Sequence, residues 1–179
     1  IQGLVSVVGV KYTTARDVAE KAVDLILKKL GKPRLASRTA VTPVYGGEIG
    51  GIDQVLNKAT KMKPNGVTTE IIQHLISTYG SQYQEILRYG EENPAWLQSV
   101  VPLVPVIKAE IIHGIRTEMA QTLGDVIFRR TELGTAGYPG DECLERCAVI
   151  MAAESGWPEK RIQREIDETR TVFRRLSCI

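Results

Sequence analysis

The sequence predicts a mainly α protein: an all-helical C-terminal domain preceded by a single terminal strand–helix unit. Three observations predict it. From residue 52 onward, apolar residues recur at helical spacing between clear stop signals. Ahead of that, Val5, Val7, Val8 and Val10 form one near-continuous apolar run that ends in a lysine, two threonines and an amphipathic segment. Between these parts, residues 31–51 hold Pro33, Pro43, Gly46-Gly47 and Gly50-Gly51 with no period, as a connector does. The expected organisation is therefore a strand and helix over 1–31, a connector over 32–51 and a helical domain over 52–179.

Residues 4–10 read as a buried strand. Thr13 or Thr14 can cap the helix that follows, with Asp17 and Glu20 in its early turns. Its apolar stripe is Val18, Ala19, Ala22, Val23, Ile26, Leu27 and Leu30, and Gly31-Lys32-Pro33 stops it. One strand and one helix cannot cover the strand's faces and edges, so this unit needs partners. In the C-terminal domain the periodicity predicts helices near 52–62, 68–78, 81–89, 106–117, 122–132, 141–155 and 158–175. Pro64-Asn65-Gly66 and Tyr79-Gly80-Ser81 separate the first three. Asn93-Pro94, Pro102 and Pro105 break residues 91–105, and Gly137-Tyr138-Pro139-Gly140 forms a turn before Asp141, an expected N-cap. Pro158 suits the start of the last helix, which carries Arg161/Glu165 and Arg164/Glu168 as i, i+4 pairs.

Composition narrows the function classes. With 179 residues, 43% hydrophobic and 25% charged, the chain can bury one respectable core. A net charge of +2 and the lack of a recognition motif argue against nucleic acid as a partner. Residues 1–40 are locally basic, with eight Lys/Arg against three Asp/Glu, which reads as a solvated face. Three cysteines without regular spacing do not make a disulfide scaffold and fit a reducing compartment. With only two histidines besides, no metal site is expected. No apolar run reaches membrane-spanning length, and neither an initiator Met nor a signal peptide opens the sequence. The expectation is a cytoplasmic protein and a piece of a larger one.

The junction at residues 9–14 carries the chemistry. Lys11, two hydroxyls and the positive end of a helix converge on one point, which suits an anion or the electron-rich edge of a cofactor. The candidate residues are Gly9, Lys11, Thr13 and Thr14. By spacing alone, a solvated lysine and two ordinary caps explain the same pattern.

Gly9-Val10-Lys11-Tyr12-Thr13-Thr14-Ala15-Arg16 resembles the Gly-Gly-Lys-(Leu/Tyr)-Thr-Thr-Tyr-Arg segment that closes the FAD domain of FAD-dependent glycerol-3-phosphate dehydrogenases. Ala109-Glu110, Arg116-Thr117-Glu118-Met119-Ala120, Thr122-Leu123-Gly124-Asp125-Val126 and Arg129-Arg130-Thr131 look like the helical C-terminal domain of the same family, in the same order. Thr78-Tyr79-Gly80 fits between them. The resemblance implies that residues 1–31 are the last strand and helix of an FAD-binding α/β domain and that the helical domain follows it whole. It implies a full-length enzyme that oxidises sn-glycerol 3-phosphate to dihydroxyacetone phosphate, with hydride passing from C2 to FAD and electrons onward to a membrane quinone.

By the same resemblance, Lys11 would be catalytic, and Gly9, Lys11, Thr13 and Thr14 would meet FAD. This chain alone would be inactive and would not hold FAD tightly. The helical domain would brace the FAD domain, with homodimerisation a second role open to it. The full-length enzyme would sit peripherally at the inner face of the cell membrane. Val10 and Ala15 depart from the usual glycine and tyrosine. A β-branched residue disfavours positive φ, so either the backbone at Val10 is extended or cofactor affinity is altered.

Other residues read as structural. His113, among Ile111, Ile112 and Ile115, reads as a partly buried, hydrogen-bonded histidine, and His74 as a helix-surface one. Arg129-Arg130 with Glu118 and Asp125 read as an ion-pair network. Trp96 and Trp157 read as packing anchors. The apolar stretch 95–107 reads as buried between helices, with a membrane or dimer contact as the alternative. The rival to the enzyme reading is a self-contained helical protein-interaction module without catalysis.

Overall fold

The computed structural model describes residues 3–9 and 11–176. The chain divides into two compact units, Ile1–Val44 and Tyr45–Ile179.

In the first unit, residues 4–9 take no regular secondary structure, so the strand expected over 4–10 is not formed there; Val10 lies outside the described residues. The physical reason is that a strand exists by pairing, and among the described residues of this unit no second backbone pairs with it. A 3-10 turn over Tyr12–Thr14 leads directly into α1, Ala15–Lys29. Asp17 lies in the first turn of α1 and Lys28 and Lys29 in the last, as the helix dipole favours. No residue of α1 is buried, although its apolar stripe is the one the sequence shows. Val8 is 90% exposed, and Val23 and Ile26 are 52% and 41% exposed. The segment after α1 folds back along it. Arg34 pairs with Glu20 at 3.1 Å and Asp24 at 2.8 Å, and Arg16 donates to the Thr39 carbonyl at 3.4 Å.

The second unit is helical as predicted: α2 Ile52–Lys61, α3 Thr69–Tyr79, α4 Tyr83–Glu92, α5 Lys108–Arg116, α6 Leu123–Asp125, α7 Asp141–Ser155 and α8 Glu159–Leu176. The expected single helix over 122–132 is short. It passes from α6 into a π-helical turn over Val126–Arg130. Local chemistry sets the ends. Thr68 caps α3 by accepting from the Ile71 N–H. Thr122 and Asp125 form a reciprocal capping box at α6, at 3.1 and 3.0 Å. Gly140 rather than Asp141 is the N-cap of α7, because Asp141 is already helical and turns its carboxylate to Arg170 and Tyr138.

Two apolar clusters fill this unit, and α5 stands between them. Ile71, Ile72, Leu75, Ile76, Ile86, Ile107 and Ala109 form one. Ile111, Leu123, Ile127, Leu144, Met151 and Phe173 anchor the other. Trp157 is buried in the second; Trp96 is half-buried against the first. The proline-broken stretch before α5 is a tight antiparallel loop. Val100 donates to Val106 at 2.9 Å, Lys108 donates to Gln98 at 3.1 Å, and Ser99 bridges Ile107. Val100, Val106 and Ile107 are buried, as expected of an apolar stretch, but the tip is not: Leu103 is fully exposed and holds φ +66°. Gly80 ends α3 at φ +56°, and a Cβ there would lie 2.0 Å from the Gly46 carbonyl oxygen, which accepts the Ser81 N–H at 2.9 Å. Only glycine fits that crossing.

Candidate functional site

The junction singled out in the sequence lies wholly in the first unit. Lys11 has an extended backbone (φ −120°, ψ 116°) and stands immediately ahead of the 3-10 turn. Gly9, Lys11, Thr13 and Thr14 are all exposed. The Thr14 hydroxyl donates to the Lys11 carbonyl at 3.2 Å, and the Thr14 N–H donates to the same oxygen at 3.3 Å. Thr14 is therefore committed to fastening the turn rather than capping α1 with its side chain. Thr13 makes no such closure, and a Cβ built at Gly9 would meet nothing within 4 Å. Gly9, Lys11, Tyr12 and Ala15 border an open groove of about 720 Å³ whose floor is the apolar side of α1, Val18, Ala19 and Ala22. The groove thus has a cationic end at Lys11 and an aliphatic floor. A flavin has the matching pair of features, an electron-rich edge and flat apolar faces, so these residues fit one side of such a cofactor.

The helical unit holds a second polar assembly that the sequence reading largely missed. Glu110 is fully buried on α5. One of its oxygens accepts the Ile107 N–H at 2.8 Å, and the other lies 2.9 Å from His74 Nε2. His74 is therefore buried and paired, not a surface histidine; its Nδ1 lies 3.8 Å from Glu132. Burial, the largest single influence on His74, opposes its charge. The hydrogen bond to Glu110 and the charges of Glu110 and Glu132 outweigh burial, so its pKa is raised. His113 is also buried, but its Nδ1 has no hydrogen-bond partner and its Nε2 is 4.0 Å from Glu118. The expected hydrogen bond is absent because aromatic edges surround the ring instead: Tyr79 at 5.7 Å and Tyr89 at 6.0 Å between centroids. Burial pushes the His113 pKa down, against the partial pull of Glu118, Glu110 and Glu85. Burial, then the charge of Glu110, raises that of Tyr79.

Arg116 ties three helices together. It holds both oxygens of Glu92 on α4 at 3.0 and 2.8 Å, and those of Glu154 on α7 at 2.5 and 3.1 Å. Its guanidinium also lies over Tyr89 and Trp96, at 5.6 and 5.4 Å from the ring centroids. On α8, buried Glu165 accepts the Leu123 N–H at 2.9 Å and so caps α6 from outside. The ion pairs read from sequence are present: Arg129–Asp125 at 2.6 Å, Arg130–Glu118 at 3.8 Å, Arg161–Glu165 at 3.4 Å and Arg164–Glu168 at 3.6 Å. The signal for Glu110 was a lone carboxylate amid Ile107, Ile111 and Ile112. A buried charge in such a run must have a partner on another helix. Nothing local marked His74 as that partner. Glu110, His74, Arg116 and Glu165 are spent on partners within the fold, as braces are.

The chain is thus a mainly helical protein whose first unit carries an exposed lysine–threonine helix start. The family described as the C-terminal domain of alpha-glycerophosphate oxidase matches residues 37–162, and the chain belongs to that family. The chain is also similar to a glycerol-3-phosphate dehydrogenase of Synechocystis sp., with 29% identity over 94% of this chain and 30% of the relative's length. It is similar to the mitochondrial glycerol-3-phosphate dehydrogenase of Mus musculus, with 33% identity over 96% of this chain and 24% of the relative. A probable mitochondrial glycerol-3-phosphate dehydrogenase of Dictyostelium discoideum matches at 29% identity over 98% of this chain and 27% of its own length. The chain thus spans less than a third of these relatives. Among the described residues no helix is long and apolar enough to cross a membrane.

Proposed function

We propose that this chain is the C-terminal part of a flavoenzyme that oxidises sn-glycerol 3-phosphate to dihydroxyacetone phosphate and passes the electrons through FAD to a quinone. The observation that carries the reading is the likeness along 94–98% of this chain to glycerol-3-phosphate dehydrogenases, running through both units. FAD, when bound, supplies the hydride acceptor. The work of this chain is electrostatic. Lys11 brings a full positive charge to the rim of its groove. The following helix brings the positive end of its dipole, and Thr13 adds a hydroxyl. Such an array favours a neighbour that gains negative charge during reaction, and it also suits a substrate phosphate. The helical domain serves as a brace for the rest of the FAD domain, and its polar interior holds helices rather than substrate. The full-length enzyme docks peripherally on the cytoplasmic face of the membrane where its quinone lies.

Glycerol-3-phosphate:dye reductase activity and the flavin spectrum, measured on the full-length enzyme and on this chain side by side, test the reading. A yellow, active full-length protein with a colourless, inert fragment is the expected result. A colourless, inactive full-length protein would leave an interaction module as the better account, since the second unit builds its own core. Within the full-length enzyme, Lys11→Met is expected to slow single-turnover flavin reduction by at least about tenfold, roughly the loss of one charge-assisted contact in the transition state. Unchanged kinetics would remove Lys11 from the reaction.

A further inference from the structure

Cys143 and Cys147 have no part in the oxidation proposed above. They lie one helical turn apart on α7, both buried and both free thiols. Residues four apart on a helix hold their Cβ atoms about 5–6 Å apart. A disulfide requires about 3.5–4.5 Å, so a regular helix keeps these sulfurs facing one another but short of a bond. Interaction with Cys147 lowers the Cys143 pKa, and interaction with Cys143, then burial, raises that of Cys147. Cys143 also forms part of the wall of a cavity of about 300 Å³, bounded by Val101 and Val106 of the antiparallel loop and by Leu133, Tyr138 and Pro139 of the turn before α7. Cys143, although 1% exposed, thus stands beside a cavity. No group of three or more His, Cys, Asp or Glu that could hold a metal occurs among the described residues, so a four-coordinate zinc centre is not served. Two soft sulfurs at this spacing instead suit a soft centre that needs two of them and adds one atom between them.

We propose that Cys143 and Cys147 form a two-sulfur binding site for a thiophilic centre of the monosubstituted trivalent arsenical class, entered through the cavity beside Cys143. In the binding step, the Cys143 sulfur and then the Cys147 sulfur attack arsenic. Two As–S bonds form, the arsenic–oxygen double bond is lost, and its oxygen leaves as water with the two thiol protons. No oxidation state changes, and no further reactant is needed.

The test uses the whole chain and phenylarsine oxide in the presence of excess monothiol, read by intact mass under native conditions. One arsenical per folded chain is expected, resistant to the monothiol and removed by a small dithiol. Cys178→Ser should keep it. Cys143→Ser and Cys147→Ser should each weaken retention by roughly 100-fold, because each turns a two-point attachment into a one-point one. Cys143→Ala makes the same comparison without placing a hydroxyl in the core. Retention by either single variant at the parent level would overturn the site, and so would capture seen only after the chain is unfolded in denaturant. The result is independent of whether the flavoenzyme reading holds.

Discussion

The two units carry apolar patterns of similar strength and put them to different use. α1 has a clear stripe with its charges well placed at both ends, and buries none of it. α3 has a comparable stripe and buries Ile71, Ile72, Leu75 and Ile76 outright. The difference is not in the helices but in what they meet. α3 lies against α2 and α4, each with an apolar side of its own. Among the described residues of its own unit, α1 meets an exposed return segment held by Arg16 and Arg34. A stripe is thus a statement about a partner, and burial shows whether the partner lies in the same unit. The first unit thus leaves its stripe uncovered, whereas the second builds a core of its own.

The sharpest way to break this contrast is inside the second unit. Glu110→Ala would leave His74 and the Ile107 N–H buried without their acceptor, at the wall between both apolar clusters. The expected cost is about 3–5 kcal/mol of unfolding free energy, measured by urea titration of the whole chain. A loss under about 1 kcal/mol would mean that water replaces the carboxylate and that the site is less dry than its burial implies.

Next in size is a matched pair of truncations, one in each unit. Leu75→Ala removes a fully buried side chain and is expected to cost about 2–5 kcal/mol. Ile26→Ser, on the stripe of α1 at 41% exposure, is expected to change stability by no more than about 0.5 kcal/mol in this chain. In the full-length protein the same Ile26→Ser should be costly, because the stripe would then be covered. Equal, small effects of Ile26→Ser in both contexts would sink the idea that a missing domain covers α1.

Legibility followed the same division. Helices α1–α5, α7 and α8 could be read from period, caps and breakers, because those signals are local and the helix ladder closes on itself. The strand over 4–10 could not be read correctly, because its valines specify a buried extended segment only where other strands exist to pair with it. The π-helical turn after α6 had no sequence mark; its Thr131 N–H returns to the Val126 carbonyl at 3.0 Å, a closure that depends on the packing around it. At the junction, spacing offers Thr13 or Thr14 as the cap of α1, a cap that the Thr14 hydroxyl, turned back to the Lys11 carbonyl, does not make. In the helical unit, short-range ion pairs such as Arg129–Asp125 were legible from spacing, whereas Glu110–His74 and Arg116–Glu154 join residues 36 and 38 apart and needed the fold.

The smallest expected effect concerns pH and separates the two buried histidines. His74 has a raised pKa in the folded state, so the folded protein holds its proton more tightly than the unfolded chain does. Its contribution to stability is complete below the unfolded value of about 6.5 and is lost as pH rises through the folded value. His113 has a lowered pKa, so its contribution is complete above about 6.5 and is lost as pH falls through its folded value. The parent chain should therefore weaken in both directions from near neutrality. His113→Phe, whose ring can keep the edge contacts with Tyr79 and Tyr89, should abolish the acid-side part of that loss and leave the other. His74→Gln, which can still donate to Glu110, should lower stability overall but flatten the profile on the alkaline side. Thermal midpoints of the three proteins between pH 5 and 8 read both slopes, and identical profiles would mean that neither histidine exchanges a proton on folding.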